Sequence, residues 1–524
     1  MRHPALRQLG FALAALTLAL IGGIAPAQPV PVGHARTAAP SGVWYEIFVR
    51  SWYDTDGDGI GDLNGVTAKL DYLQSLGVSG IWLMPINPSP SYHGYDVTDY
   101  RAVNPPYGTL ADFRRLTEEA HRRGIKVIID MVINHTSDES PWFKAALDPH
   151  SRYRDWYSWA GKYTDLASGS AAGSRAWQAA GKQHYLGIFA SGMPDLNYDN
   201  PAVRAEMIAA GRFWLQQGAD GFRLDAARHI YENFPWDADD PATLAKNLDW
   251  WNAYRRGLDA VNPHARLVGE VTQPAASQLA PYLKPLDAVF NFPLAAQLID
   301  AAKSERNQGL APTLERSYAS YRHACRCDTI RDAPFLSNHD QERVMSQLDG
   351  NARHMRMAAA MLLTLPGEPF LYYGEELGML GRKPDPALRG PMRWQASPAT
   401  RGETRWKAVD AANLPLSVAA QQADSHSLLN RYRELVHWRI EIPALRAGGF
   451  AAYPHASDHL AAWQRPLPGG GVLVVHNLSG QTQTMALDVP DEPRYTRVLE
   501  ATGTGATIHD NTLSVPAYTS VVLQ

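Results

Sequence analysis

Apolar runs of strand length recur along the chain, and amphipathic segments of helix length separate the first of them. Residues 43–49, 80–85 and 127–132 are such runs, and the last is almost wholly apolar, as is typical of a strand covered on both faces. Before the last run, Thr109 followed three residues later by Asp112 predicts the start of a helix. This alternation of strands and helices predicts a parallel sheet.

The alternation is interrupted once and then resumes. Residues 136–193 are rich in Trp, Tyr, Ser and Gly, and because a structureless loop of that length is uncommon, we expect an inserted subdomain B there. A helix at residues 201–217 follows, and further strands are expected from Ala219 and at residues 267–271, 288–292, 334–337 and 369–373. Eight strands in all predict an α/β fold, a (β/α)8 TIM barrel formed by residues 42–135 and 194–442. Beyond these, short alternating runs with Gly and Pro turns predict a C-terminal β-sandwich domain over residues 443–524.

The N-terminus has the pattern of a secretory signal peptide. Two arginines precede an apolar stretch at residues 11–24, which is short for a bilayer span, and a small-residue Ala-Pro-Ala sequence ends at residue 27. We therefore expect a signal peptide at residues 1–27, a flexible lead-in at residues 28–41, and a secreted or periplasmic protein. After cleavage no membrane segment is expected, and an uncleaved anchor is the alternative reading.

Composition and net charge limit the classes of partner that are expected. The formal net charge is −4 and no long basic run occurs, which argues against nucleic acid. The chain has two cysteines, Cys325 and Cys327. Export would permit a disulfide between them, but with one intervening residue the ring is small, so the pairing stays open. We expect a monomer.

Polar residues follow the ends of several predicted barrel strands: Asn134 and His135, Arg223 and Asp225, Glu270, and His339 and Asp340. In such barrels the functional residues lie at the C-terminal ends of the strands, so Asp225, Glu270 and Asp340 are expected to converge. Taken alone, Arg223 and Asp225 are equally consistent with a structural ion pair or with a nucleophile held ionised. Three converging carboxyls favour glycosidic cleavage, in which one carboxylate attacks the anomeric carbon and one acid protonates the leaving oxygen.

An acidic loop follows the first predicted strand. Asp54, Asp56, Asp58 and Asp62 alternate with glycines, a pattern suited to an oxygen cage for Ca²⁺. Gly65 stands where an EF-hand would have its bidentate Glu, so the loop is not an EF-hand. An acidic surface turn is the alternative, although four neighbouring carboxylates would repel one another without a cation.

The motifs together resemble those of the α-amylase family of glycoside hydrolases, family 13. The matching blocks are Asp130-Met131-Val132-Ile133-Asn134-His135, Met193-Pro194-Asp195-Leu196-Asn197, residues 221–225, Gly269-Glu270, Ser337-Asn338-His339-Asp340 and Gly374-Glu375-Glu376-Leu377-Gly378. The resemblance covers nearly all of the chain from about Val43.

This resemblance implies a retaining mechanism. Asp225 would be the nucleophile that forms a covalent glycosyl intermediate, and Glu270 the acid and then the base. Asp340 would bind sugar hydroxyls and stabilise the positively charged transition state. Retention expects the carboxyls of Asp225 and Glu270 to be about 5 Å apart. Arg223 would keep Asp225 ionised.

The resemblance also implies substrate contacts. His135 and His339 would hydrogen-bond the glucose before the cleaved bond, and Tyr95 would stack beneath it. Arg228 and His229 resemble the pair with which α-amylases hold the sugar beyond the cut.

Two calcium sites follow from the resemblance. The acidic loop resembles the first-loop Ca²⁺ site of the oligo-1,6-glucosidase branch, which implies ligands from Asp54, Asp56, Asp58, Asp62 and the carbonyl of Ile60. A second family site would use Asn134, Asp195 and the carbonyl of His229. Some branches lack the second site, so it stays open.

Only a few residues indicate which branch of this family the chain resembles. Exo-acting α-glucosidases have an Asp two residues before the glycine of their Gly-Tyr-Asp motif, where this chain has Tyr92, while the Arg that partners that Asp survives as Arg389. The loss of the Asp, together with Met193, favours an open cleft and an α-1,4-glucan hydrolase acting on starch, maltodextrins or maltooligosaccharides. The alternatives are an exo-acting α-glucosidase or oligo-1,6-glucosidase, and a trehalose-synthase-like isomerase. An inactive carbohydrate-binding relative is remote, because all three acids are present.

Overall fold

The barrel strands run parallel to one another in this computed structural model, which describes residues 42–170, 175–231, 240–396 and 401–524. The predicted signal peptide and lead-in, residues 1–41, lie outside the described residues. The strands of the barrel, and of a hairpin inserted in it, are β1 (Val43–Ile47), β2 (Val78–Leu83), β3 (Lys126–Met131), β4 (Trp177–Ala180), β5 (Gln183–Leu186), β6 (Gly221–Leu224), β7 (Arg266–Gly269), β8 (Ala288–Val289) and β9 (Phe370–Tyr372).

The barrel sheet has the strand order β8-β7-β6-β3-β2-β1-β9. Parallel bridges of Phe290 with Ala333 and of Phe335 with Phe370 join its two edges. The segment between β8 and β9 therefore takes the remaining strand position, and the ring confirms the predicted (β/α)8 barrel.

Two predicted barrel strands are shortened more than the others. The strand predicted at residues 288–292 ends at Val289, because Asn291 caps a helix that begins at Phe292. The strand predicted at residues 334–337 is reduced to isolated bridges. Pro334 has no N–H to donate, which limits the ladder at that position.

The helices pack around this sheet. Fifteen α-helices occur in the described ranges: α1 (Leu63–Ala68), α2 (Leu70–Leu76), α3 (Leu110–Arg122), α4 (Pro141–Ala146), α5 (Pro201–Gln216), α6 (Pro241–Asp259), α7 (Ala276–Leu279), α8 (Phe292–Ser304), α9 (Leu310–Cys325), α10 (Val344–Gln347), α11 (Ala352–Thr364), α12 (Asp385–Leu388), α13 (Val418–Ala423), α14 (Leu428–Glu441) and α15 (Pro443–Ala447). Short 3₁₀ helices cover Val49–Ser51, Pro105–Tyr107, Arg154–Trp156, Ala280–Leu283, Glu375–Leu377 and Ala411–Asn413. The capping box predicted at Thr109 and Asp112 is confirmed at the start of α3.

Two further observations concern the helices. A disulfide joins Cys325 and Cys327 at the end of α9, which answers the pairing question that the sequence left open. In the described part of the chain, no helix combines the length and apolar character needed to cross a lipid bilayer.

The barrel interior is built in layers, because alternate residues of a strand share one face. Trp44 on β1 and Ile128 on β3 belong to a buried apolar cluster. Two positions further along the same strands, Glu46 and Asp130 are also buried. Asp130 pairs in register with Arg223 on β6. A charged layer therefore lies directly above an apolar one, at the C-terminal ends of the strands.

The chain between β3 and β6 has structure of its own. It contains α4 and the antiparallel hairpin of β4 and β5. Phe143 packs against the rings of Tyr157, Trp159 and Tyr185, at centroid distances of 5.0, 6.1 and 4.7 Å. The limits of the inserted subdomain at residues 136 and 193 stay a prediction.

The C-terminal part forms two antiparallel sheets. Their strands are β10 (Ala451–Ala452), β11 (Leu460–Arg465), β12 (Val472–Asn477), β13 (Gln483–Ala486), β14 (Val498–Ala501), β15 (Thr507–His509), β16 (Thr512–Val515) and β17 (Ser520–Leu523). The sheet orders are β10-β11-β12-β17-β14 and β13-β16-β15, and Leu473, Met485 and Leu513 share one buried cluster between them. Helical structure was expected to end at residue 442. That expectation was wrong, because one further helix, α15, begins at Pro443.

Candidate active site

One buried arginine holds three carboxyl groups at the C-terminal end of the barrel. The Arg223 guanidinium donates hydrogen bonds to Oδ1 of Asp130 (3.0 Å) and to Oδ1 of Asp225 (2.5 Å). Its other terminal nitrogen lies 2.9 Å from Oε2 of Glu270. The structure therefore brings two of the predicted catalytic acids onto the two sides of one guanidinium.

Burial raises the pKa of Asp130, Asp225 and Glu270 above their ordinary values, and the charge of Arg223 opposes that rise. The pKa of Asp130 reaches about 7. Because one positive charge is shared among three buried carboxyls, the expectation that Arg223 simply keeps Asp225 ionised is incomplete. For Glu270, a raised pKa favours the protonated form that a general acid needs.

The backbone turns sharply just after Asp225. Ala226 has a φ of 46°, in the left-handed region that a residue with a Cβ rarely adopts. Such a conformation costs about 1–2 kcal/mol. It directs the backbone N–H of Ala226 to Oε2 of Glu270, at 2.9 Å. The turn thus links the residue after one predicted acid to the other acid, a contact that the sequence did not indicate.

A buried histidine holds the third predicted acid. Nδ1 of His339 lies 2.6 Å from Oε1 of Glu46, and its Nε2 lies 3.1 Å from Oδ2 of Asp340. Burial alone would lower the pKa of His339, but Asp340 and Glu46 raise it to about 9. Burial alone would raise the pKa of Asp340, but His339 and Arg389 hold it well below its ordinary value. At neutral pH the site therefore contains an imidazolium beside an ionised Asp340.

Tyr95 joins the two clusters. Its hydroxyl donates to Oδ2 of Asp130 (2.9 Å) and lies 2.6 Å from Nε2 of His339, and its ring stacks on that imidazole at 5.3 Å. Sequence reasoning missed the roles of Asp130 and Glu46 in this network. The signal was present, because each is an acidic residue with apolar residues on both sides of it in its strand.

Arg389 lies on the outer side of Asp340. It donates to Oδ1 of Asp340 (2.9 Å), to Oδ2 of Asp385 (3.1 Å) and to the hydroxyl of Tyr92 (3.3 Å). The Tyr92 ring in turn stacks on Trp406 at 5.4 Å. Asp385 was not among the predicted residues. Asp385 gives Arg389 a carboxylate partner. The position of Tyr92, where the sequence analysis noted a missing Asp, offers Arg389 a hydroxyl instead.

Two of the remaining predicted sugar contacts, His135 and His229, lie against the inserted segment. The ring of Phe189, which sequence reasoning missed, packs against His135 and His229 at centroid distances of 5.5 and 5.6 Å. Burial lowers the pKa of both histidines to about 4, so both are neutral at neutral pH. Arg228 is half-buried, and its carbonyl accepts a hydrogen bond from Asn247 (2.9 Å).

Three of the predicted calcium ligands lie close together: Asp54, Asp56 and Asp58. One carboxylate oxygen from each lies within 4.8 Å of the others, a spacing that a single Ca²⁺ with ligands at about 2.3–2.6 Å can span. Asp62 instead caps α1, where it accepts from the backbone N–H of Gly65 (2.7 Å). The N–H of Ile60 donates to Oδ1 of Asp58 (2.6 Å), which closes the loop on itself.

The second predicted metal site has a different geometry. The amide nitrogen of Asn134 donates directly to the carbonyl of His229 at 2.5 Å. Nδ1 of His135 lies 3.1 Å from Oδ1 of Asn134, and its Nε2 lies 2.8 Å from the carbonyl of Tyr95. Asp195 is joined to His135 by a backbone bridge. Two of the predicted ligand groups therefore bond to each other through the amide nitrogen of Asn134, and the metal assignment at this site stays a prediction.

Comparisons with known proteins find related sequences and structures. The family model for the α-amylase catalytic domain matches residues 46–448, and that for the C-terminal domain of the α-amylase SusG matches residues 460–522. "Alpha-amylase 3" of Dictyoglomus thermophilum is 39% identical over 451 residues, covering 85% of this chain and 86% of that protein. "Trehalose synthase/amylase TreS" of Mycobacterium tuberculosis is 32% identical over 544 residues, covering 91% and 87%. The crystal structure of an α-amylase from H. orenii superposes with a TM-score of 0.85 at 43% identity, covering 93% of this chain and 99% of that one.

Proposed function

Because the chain belongs to the α-amylase family of glycoside hydrolases, we propose that it cleaves internal α-1,4-glucosidic bonds of starch, maltodextrins or maltooligosaccharides. The proposal includes retention of configuration through a double displacement. The observation that carries it is the single guanidinium of Arg223, which bonds Asp225 at 2.5 Å and Glu270 at 2.9 Å. Two carboxyls held side by side support the short separation of a retaining enzyme, about 5 Å, over the wider one of an inverting enzyme.

In this mechanism the two acids have different tasks. Asp225 attacks the anomeric carbon and forms a covalent glycosyl ester, while Glu270 donates a proton to the leaving glycosidic oxygen. Glu270 then removes a proton from the incoming water, which displaces Asp225. The raised pKa of Glu270 supports the first of its two tasks.

Asp340 stabilises the positive charge that develops on the sugar. Its pKa is held well below the ordinary range, so it is a carboxylate at every pH at which the enzyme is expected to act. The imidazolium of His339 and the ring of Tyr95 complete this side of the glucose site. On the other side, His135 and His229 with Phe189 between them, together with Arg228, are proposed to contact the sugar across the cleaved bond.

Endo action rests on Tyr92. In place of a carboxylate that would grip a terminal glucose, the half-buried ring of Tyr92 stacks on Trp406 and leaves an aromatic surface there. An exo-acting glucosidase or a trehalose-synthase-like isomerase is the alternative, and the Asp385–Arg389 pair beside Asp340 is what favours it. The TreS relative is named for both trehalose synthase and amylase activity.

Product analysis on maltoheptaose tests the proposal. An endo-acting enzyme releases several maltooligosaccharides from the start of the reaction, and proton NMR of the first products shows the α-anomer. Glucose released alone, one unit at a time, would refute endo action, and initial β-anomers would refute retention. Incubation with maltose alone separates the alternatives, since hydrolysis yields glucose and isomerisation yields trehalose.

We also propose one bound Ca²⁺, held by Asp54, Asp56 and Asp58, with the Ile60 carbonyl and Asp62 as the outer candidates. When bound, the ion would neutralise the repulsion of these carboxylates and hold the loop rigid. The loop is tied to the cleft, because the carbonyl of Gly59 accepts from the N–H of Trp406 at 3.0 Å. At the second site, Asn134, Asp195 and the carbonyl of His229 stay candidate ligands of a second ion.

Metal analysis and thermal unfolding test the calcium proposal. The parent is expected to contain about one Ca²⁺ per chain and to unfold at lower temperature after chelation. Asp56→Asn should lower the metal content, whereas Asp249→Asn, at an exposed position on α6, should not. Equal metal content in both variants would contradict the assignment.

Export is proposed from the N-terminal pattern alone. N-terminal sequencing of the protein recovered outside the cytoplasm is expected to begin at Gln28. A mature chain that still begins at Met1 would contradict it.

A further inference from the structure

A cavity of about 230 Å³ lies between the barrel helices α11 and α14 and the sandwich strand β17. This junction cavity is defined by Arg353, Arg356, Arg431, Tyr518 and Ser520, with five neighbours. Among its described lining residues, three are arginines and none is Asp or Glu. Its volume is below the roughly 300–1,000 Å³ of pockets that take drug-sized ligands, so the cavity suits a small ligand.

The arginines make few bonds to the protein. Arg356 donates to the carbonyl of His426 at 2.7 Å, and its Nε is buried without a partner in the described part of the chain. Arg431 donates to Oε2 of Glu434 at 2.7 Å, one turn further along the same helix. Burial lowers the pKa of Arg431, Glu434 opposes that shift and the charge of Arg356 adds to it. Two guanidiniums with five N–H donors each therefore line one cavity, and the carboxylate bonded to Arg431 is that of Glu434.

Other groups around the cavity already have protein partners. Glu305 accepts from the hydroxyl of Tyr518 at 2.6 Å and lies 3.1 Å from Nε2 of His354, so its charge is used there. The hydroxyl of Thr502 accepts from the N–H of Ser520 at 2.9 Å. The arginine donors, rather than the hydroxyls, are what the cavity offers to a ligand.

We propose that the junction cavity binds a phosphoryl group, either inorganic phosphate or the phosphate of a phosphorylated sugar. Guanidinium groups bond phosphate oxygens in a bidentate manner and keep their charge when desolvated. An anion would satisfy the donors of Arg356 and relieve its repulsion of Arg431. It would also hold Arg353, which lies on α11 like Arg356 and whose guanidinium is 5.6 Å from the ring of Tyr518 in the sandwich. Bound phosphate is therefore expected to stabilise the barrel against the sandwich.

Calorimetric titration of the full chain with sodium phosphate at low ionic strength tests the proposal. Arg356→Gln and Arg431→Gln are each expected to weaken binding by at least about tenfold, the effect of losing a charge-assisted hydrogen bond. Arg316→Gln, at an exposed position on α9, is the matched control and should bind like the parent. If Arg356→Gln or Arg431→Gln folds poorly, Arg353→Gln replaces it in the titration. Arg353 also lines the cavity, but its position is exposed, so its replacement should not disturb folding.

Thermal unfolding gives a second measurement. Phosphate should raise the unfolding temperature of the parent and the control more than chloride does at equal ionic strength, because a ligand of the folded state stabilises it. The Arg356→Gln variant should lose that difference.

Glucose 6-phosphate and glucose distinguish the two sources. Equal affinity for phosphate and glucose 6-phosphate would assign the site to the free ion, and tighter binding of glucose 6-phosphate would assign it to a phosphorylated sugar. Either result supports the proposal only if Arg356→Gln weakens the binding. Absence of phosphate binding to the parent, or equal binding to parent and both arginine variants, would overturn it, whatever the hydrolytic activity.

Discussion

The replacement Glu46→Gln tests the charged pair beneath Asp340. Glu46 and His339 are fully buried, 2.6 Å apart, and the amide of Gln has the size of the carboxylate and can still accept from Nδ1. The change therefore removes a charge with little change in packing. Its main expected consequence is a lower pKa for His339.

The magnitude follows from the pKa of His339, which Asp340 and Glu46 raise to about 9 in spite of burial. Relative to an unfolded value of about 6.5, such a histidine adds stability below pH 6.5 that is lost as the pH rises through 9. Between pH 7 and pH 10 this loss amounts to about 2.5 kcal/mol. Removing one adjacent opposite charge lowers the pKa by at least about one unit. The loss over the same interval then falls to about 1.2 kcal/mol or less.

Urea unfolding followed by tryptophan fluorescence at pH 7 and pH 10 measures both numbers, because groups that titrate in both proteins cancel in the comparison. His339→Gln serves as the background control, since Glu46→Gln should then change stability equally at both pH values. If the parent and Glu46→Gln lose the same free energy between pH 7 and pH 10, the buried charge pair does not exist as described.

Three further outcomes are expected. Glu270→Gln should lower kcat on maltoheptaose by about 10²–10⁴, and much less on α-glucosyl fluoride, whose leaving group needs no proton; equal losses would remove Glu270 as the acid. Burial raises the pKa of Glu375 to about 8, so the stability it contributes below pH 4.5 is lost as the pH rises towards 8; Glu375→Gln should flatten that part of the unfolding profile, and an unchanged slope would contradict it. Asp385→Asn should raise KM for maltose more than for maltoheptaose by weakening the hold on Arg389, and a constant KM ratio would exclude a role in short-chain binding.

Local pattern predicted the elements best where one physical rule acts alone. The strand expected at residues 127–132 is observed at Lys126–Met131, because a doubly covered strand must be apolar throughout. The strand expected at residues 288–292 was overestimated, because the capping side chain of Asn291 starts a helix inside the apolar run. The short α15 was missed for a similar reason, since its starting proline was read as a break.

The candidate site was predictable only in part. The acids at strand ends were found because they follow apolar runs, and the family that their motifs indicated is confirmed by the matching catalytic-domain model. Phe189 and Asp385 were missed, because each reaches the cleft from a segment with no periodic pattern. Asp62 was expected at the metal; its side chain caps α1, a role that the sequence analysis did not foresee, and its part in metal binding stays a prediction.

The sequence by itself determined which faces of which strands carry charge, since strand periodicity is a local property that places Glu46 above Trp44 and Asp130 above Ile128. Only the closed barrel decided which of those charges meet. Glu46 and His339 are 293 positions apart, and Arg223 and Asp130 are 93 apart, so no local rule relates them. The protonation states follow from those meetings, because burial and neighbouring charge act through space and not along the chain.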